Sequence, residues 1–125
     1  MKTVRCGIIL NTQNYEACIA FYGETLGLPQ APEITPDDPE ITCFNLGDTY
    51  LMVEAGGCAH SSSKPIEHCP TKFRFNVEDV ESAADTLRER GVDVDVLHYS
   101  WGTTAEFCDP DGNRCALRSE RGFGN

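Results

Sequence analysis

Apolar residues recur along this chain with two different periods, and the periods alternate. Tyr15, Cys18, Ile19, Tyr22 and Leu26 fall at i, i+3, i+4, i+7 and i+11, one face of a helix. Asn14 stands where an N-cap is wanted and Gly27 where such a helix stops. Val80, Ala83, Ala84 and Leu87 repeat the i, i+3, i+4, i+7 spacing, with Asp79 as N-cap and Gly91 as stop. Short apolar runs that suit strands surround both helices. One run precedes each helix, at 5–10 and 72–77. Three follow each: 29–34, 40–46 and 49–54 after the first, then 92–97, 102–108 and 113–118 after the second. Thr35-Pro36-Asp37-Asp38-Pro39 and Gly47-Asp48 separate them as turns. The most informative turn is Asp109-Pro110-Asp111-Gly112-Asn113. Pro110 presets φ, Gly112 supplies a left-handed position, and Asp and Asn bond their own backbone, which predicts a β-hairpin.

The chain therefore reads βαβββ twice, with an offset of 65 residues from Tyr15 to Val80. A stretch rich in Gly, Ser and Pro, 55–70, joins the halves. This predicts an α+β fold in a single domain spanning 1–125, with module 1 at about 1–54 and module 2 at about 71–120. Each module must bury one face of its sheet under its helix. The other face is free to curve around something.

Bulk properties narrow the function. In 125 residues, 40% are hydrophobic and 24% charged, as in ordinary globular domains. No apolar run approaches the roughly 18 residues a membrane helix needs, and the first ten residues carry no secretory signal, so a cytoplasmic location is expected and no membrane partner. A net charge of −10 disfavours nucleic acid, whose phosphates demand a basic face. The seven cysteines are odd in number, most fall in apolar runs, and none forms Cys-x-x-Cys. They read as free, buried thiols, with Cys58 and Cys69 in the connecting stretch as the two to watch for reactivity. His60, His68 and His98 read as loop histidines.

Several segments together resemble the glyoxalase, bleomycin-resistance and extradiol-dioxygenase superfamily, the vicinal oxygen chelate proteins. They are Asn14-Tyr15-Glu16 through Phe21-Tyr22 and Leu26-Gly27-Leu28; Val77-Glu78-Asp79-Val80 through Leu87, Arg90 and Gly91-Val92; and Trp101-Gly102, Phe107 and Asp109 to Asn113. The resemblance implies two βαβββ modules whose curved mixed sheets enclose a cavity, and a homodimer. Metal-dependent members hold a divalent ion with four side chains, one from the first and one from the last strand of each module. Those positions fall here on Gly7, Glu54, Lys72 and Ala116. Glycine and alanine have no donor and lysine is a cation, so one donor of four remains. No metal and no other cofactor is expected.

The resemblance thus points to the metal-free, bleomycin-resistance-like branch, which binds and sequesters a small molecule without catalysing a reaction. The alternative is an enzyme of the same superfamily, a lyase, isomerase or dioxygenase that uses Glu54 as a base or a metal from another ligand set. Ligand-binding candidates follow from strand alternation. Taking Lys72, Ala116, Glu54 and Gly7 as inward brings Arg74 and Asn76, Arg114 and Arg118, Met52 and Tyr50, and Ile9 and Arg5 to the same side. Trp101 and Phe107 are expected to add flat stacking surface. The binding set is therefore Glu54, Lys72, Arg74, Trp101 and Phe107, with no catalytic residue assigned. Overall charge favours a cationic ligand. The local cations favour an anionic or carboxylate-bearing one and act at shorter range.

Overall fold

Both predicted helices form, and their apolar faces set the two cores. In the computed structural model, which describes residues 1–124, the chain separates into two compact units, Met1–Ala59 and a second from His60 onward. In unit 1, strand β1 (Cys6–Thr12) leads to helix α1 (Tyr15–Ala20) and then to β2 (Ile41–Asn45) and β3 (Thr49–Ala55). In unit 2, β4 (Phe73–Val77) leads to α2 (Val80–Glu89), then β5 (Asp95–Tyr99), β6 (Gly102–Cys108) and β7 (Arg114–Ser119). The strand orders are β1-β3-β2 and β4-β7-β6-β5. Each sheet is mixed: β1 runs parallel to β3, β4 runs parallel to β7, and the remaining pairs are antiparallel. The fold is α+β, one helix and one mixed sheet per unit.

One expected strand is nearly lost. The 29–34 run keeps only the bridge Gln30↔Phe44, flanked by Ala31 N–H to Cys43 C=O and Asn45 N–H to Pro29 C=O, both 2.9 Å. It then turns into a 3₁₀ helix, Pro32–Ile34. Pro32 has no N–H to give a ladder but suits the first position of a helical turn. Unit 1 is thus a three-stranded sheet with a vestigial fourth edge. The 92–97 run moves to Asp95–Tyr99 because 91–94 completes the helix exit. Val92 N–H bonds Leu87 C=O at 3.0 Å, Gly91 takes φ +86°, and Arg88 Nη2 donates to Val94 C=O at 2.8 Å.

Helix α2 has the expected cap: the Asp79 carboxylate accepts from Ser82 N–H at 3.0 Å. Asn14 makes no such side-chain bond, and α1 passes into a π-helical turn over Phe21–Thr25, closed by Leu26 N–H to Phe21 C=O at 2.9 Å. That wider turn buries two successive aromatics, Phe21 and Tyr22, whose rings meet edge-to-face at 5.2 Å. Tyr22 reaches Phe44, and Leu51 and Val53 complete the core of unit 1. In unit 2 the core gathers Val80, Ala84 and Leu87 with Ala105, Phe107, Cys115 and Leu117.

The connecting stretch is tied down at both ends. Gly56 and Gly57 N–H bond Thr12 C=O within unit 1. In unit 2, His60 N–H bonds Asp111 C=O, Lys64 N–H bonds Gly112 C=O, and Lys64 Nζ donates to Asn113 at 2.8 Å. The hairpin turn they grip is keyed by Asp109. Its buried carboxylate accepts from Asp111 N–H, Asn113 N–H and Asn113 Nδ2 at 2.8–2.9 Å.

Candidate functional site

Cross-strand register assigns every strand residue to one of two faces. In unit 1, Leu51 and Val53 lie under α1, so Tyr50, Met52 and Glu54 lie on the opposite, open face. Gly7 and Ile9 of β1 pair with Tyr50 and Met52, and Asn11 pairs with Glu54. A cavity of about 400 Å³ on this unit is lined by Val4, Arg5, Ile34, Tyr50 and Met52. Glu54 is half-buried beside Asn11 and Ile41.

Gly7 has a specific job. A Cβ at this position would sit 2.0 Å from the Tyr50 ring. The aromatic ring occupies the space into which any longer side chain at position 7 would project.

In unit 2, Arg74 pairs with Ala116 and Ala116 with Glu106, while Asn76 pairs with Arg118 and Arg118 with Thr104. These residues share the face away from α2. Lys72 ends on the same side, its Nζ 3.0 Å from the Glu106 carboxylate. Phe107 does not belong here. It pairs with Cys115 on the face under α2 and is 5% exposed. One residue of strand phase separates it from Glu106, so it is a core side chain rather than a stacking surface in an open site.

Trp101 lies in the turn between β5 and β6, about half exposed, its ring stacked on Tyr99 at 4.7 Å. The Arg118 guanidinium lies 5.0 Å from the Trp101 ring centre and 4.8 Å from that of Phe123. It donates to the carbonyls of Ser119 and Trp101, the latter at 3.1 Å. The Trp101-Gly102 pair now has a physical reading. Trp101 gives Arg118 a ring face and a carbonyl. Gly102, at φ +151°, leaves room, since a Cβ there would fall 2.8 Å from Ser119 Oγ and 3.5 Å from Arg118 Nη2. Arg118 is 6% exposed and no carboxylate among the described residues pairs with it. Thr104 Oγ1, buried opposite Arg118, has no hydrogen-bond partner among the described residues.

The structure therefore brings Lys72, Arg74 and Trp101 to one face of unit 2, places Glu54 on the open face of unit 1, and removes Phe107 to the core. Sequence reasoning missed Phe123 as a site residue because it follows the last strand and belongs to no periodic pattern. A second cavity of about 440 Å³ is lined by Lys72, Arg74, Asn76 and Phe123.

A metal does not fit these residues. Tyr50 fills the space at Gly7, Lys72 is engaged with Glu106, and Ala116 offers only a methyl group. Among the described residues no group of three or more His, Cys, Asp or Glu is arranged to hold an ion. No helix among them is long and apolar enough to cross a membrane.

Known proteins resemble the chain throughout its length. The uncharacterized protein YraH of Bacillus subtilis is 27% identical over 124 residues, covering 90% of this chain and 94% of that protein. The antibiotic-binding protein TnmS3 from a Streptomyces species shares the fold at a TM-score of 0.70 and 22% identity, covering 94% of this chain and 96% of that one. Lactoylglutathione lyase from Agrobacterium tumefaciens does so at 0.72 and 17%, covering 99% and 98%. The family model for the glyoxalase/bleomycin resistance protein/dioxygenase superfamily matches residues 5–117, and with the paired modules and the hairpin motif it means that this chain belongs to that superfamily.

Proposed function

We propose that this protein binds and sequesters a small molecule and does not catalyse its conversion. The fold is compatible with either role, since its structural relatives include both an antibiotic-binding protein and a lyase. The residues favour the binding role. The observation that carries the reading is the state of the metal-ligand positions: a glycine covered by Tyr50, a lysine paired with Glu106, an alanine, and a single carboxylate, Glu54. One oxygen donor is too few to hold a divalent ion in place. The binding residues in this reading are Glu54 on unit 1 and Lys72, Arg74 and Trp101 on unit 2. Exposed Tyr99, Trp101 and Phe123 supply apolar contact area of the kind that ligand sites use. A cytoplasmic homodimer completes the proposal, to be checked by light scattering, where a monomeric mass at micromolar concentration counts against it.

Metal analysis of protein purified without chelator tests the central claim. Substoichiometric Ni, Zn, Fe and Mn are expected after gel filtration. A stoichiometric ion that survives it would overturn the non-catalytic reading.

A further inference from the structure

The open face of unit 2 holds an unusual concentration of positive charge for a chain of net charge −10. Lys72, Arg74, Arg114 and Arg118 all lie on it, against the carboxylates Glu106 and Glu120. Those carboxylates are committed: Glu106 to Lys72 at 3.0 Å, and Glu120 to Asn76 Nδ2 at 3.0 Å. The cations differ in what they have left. Lys72 has its counter-ion. Arg114 is turned to the carbonyls of Cys69 and Thr71. Arg118 is buried, bonded to two carbonyls and flanked by two rings. Arg74 has none of this. It is exposed, and its one described interaction is with the Phe123 ring, 6.0 Å from the guanidinium. Arg74 and Phe123 are both walls of the 440 Å³ cavity.

A free guanidinium beside an exposed aromatic ring offers two kinds of contact in one place. The planar fork takes both oxygens of a carboxylate. The ring takes a second flat π-system. Arg118 holds the Phe123 ring from its own position at 4.8 Å, and so acts as a positioning residue rather than as the anion receptor. We infer that the cavity of unit 2 takes a planar aromatic carboxylate, its anion on Arg74 and its ring stacked against Phe123. This rests on the proposal that the protein is a small-molecule binder and names the ligand class of the same open face. The local guanidinium outweighs the distant negative charge because that charge is spread over solvated surface and screened within about 10 Å at ordinary ionic strength.

The test uses the whole chain and four probes: 2-naphthoate, its neutral isostere 2-naphthamide, non-planar cyclohexanecarboxylate, and cationic 2-naphthylmethylamine. Calorimetry measures affinity, and the single Trp101 indole signal in the NMR spectrum reports occupancy nearby. Naphthoate is expected to bind about tenfold or more tightly than each of the other three. Arg74→Gln should weaken naphthoate about tenfold and leave naphthamide unchanged. Phe123→Ala should weaken naphthoate and naphthamide by a similar factor and leave cyclohexanecarboxylate nearly unchanged. Both side chains are exposed, so neither change threatens the fold. Equal affinity for naphthoate and naphthamide, or an unchanged naphthoate affinity in Arg74→Gln, overturns the inference. A preference for the amine overturns it while leaving the binding-protein reading intact. A Trp101 signal that responds to protein concentration and not to any probe overturns it in favour of a second copy of the chain on this face. The metal analysis fails or succeeds independently of all of these outcomes.

Discussion

The two units share a plan and differ in what they do with its exposed half. Under the helices they are close counterparts. Tyr22 occupies in α1's continuation the i+7 position that Leu87 occupies in α2, and each is buried in the core of its own unit. On the open faces the likeness ends. Unit 1 presents Ile9, Tyr50 and Met52 with the one carboxylate Glu54, and its Gly7 makes room for an aromatic ring. Unit 2 presents guanidinium groups layered with Trp101 and Phe123. The helix-covered faces answer to packing, which both units must satisfy the same way. The open faces carry no such demand and are where the two copies of the motif have diverged. The difference is one of chemistry, face by face: the open side of unit 1 is mostly apolar, and that of unit 2 is rich in guanidinium groups and aromatic rings.

The largest expected effect breaks the likeness of the cores. Tyr22→Ala removes a wholly buried ring that meets both Phe21 and Phe44 and should cost about 3–5 kcal/mol. Leu87→Ala removes fewer atoms and should cost about 2–5 kcal/mol, below Tyr22→Ala when both are measured by urea denaturation. Should Tyr22→Ala prove the milder of the two, the π-helical turn is not the keystone of unit 1.

The hairpin turns sharpen the contrast further. In unit 2, Asp109 receives three hydrogen bonds in a buried turn. In unit 1, the turn into β3 is closed by the backbone bond from Leu46 N–H to Thr49 C=O at 2.8 Å and by one exposed side-chain bond, from Gly47 N–H to Asn45 Oδ1 at 3.0 Å. Asp109→Ala should therefore lose about 3 kcal/mol and Asn45→Ala no more than about 1 kcal/mol. Equal losses in thermal or urea melts would show that burial does not separate the two turns.

Much of this was legible in the sequence because period and punctuation report local physics. The helix faces, the Asp79 cap, the Gly91 stop and the Asp109–Asn113 hairpin all announced themselves. Strand alternation correctly grouped Lys72, Arg74, Asn76 and Arg118 on one side. What failed depended on register or on irregular backbone. The 29–34 segment looked like a strand until Pro32 withdrew a donor, and Phe107 was one residue out of phase with the face it was assigned to. The Arg118–Phe123 contact joins a strand to a tail with no pattern of its own, so no spacing rule could find it.

Gly102→Ala probes the Trp101–Arg118 pairing directly. The left-handed φ and the 2.8 Å approach to Ser119 Oγ both oppose a Cβ, with an expected cost of about 1–3 kcal/mol. The change should also shift the Trp101 emission, since the ring's contact with Arg118 depends on this turn. On unit 1, Gly7→Ala has no positive φ to strain but requires the Tyr50 ring to swing aside, so its cost should fall mainly on the packing of that ring rather than on the backbone.

The smallest effect concerns Lys72. Its side chain and that of Glu106 are each about a third exposed, so their 3.0 Å ion pair is screened and entropically opposed. A double-mutant cycle with Lys72→Met and Glu106→Gln should return a coupling of about 0.2–1 kcal/mol, and less at high salt. The pair also divides labour between the cations of unit 2. With Glu106 beside it, Lys72 presents little net field to a ligand, whereas Arg74 presents its full charge. Lys72→Met alone should therefore weaken a planar carboxylate much less than Arg74→Gln does. Glu106→Gln, by freeing Lys72, should strengthen it. An unchanged or weakened affinity in Glu106→Gln would mean that the Lys72 charge does not reach the ligand, and that the charge of unit 2 acts through its arginines alone.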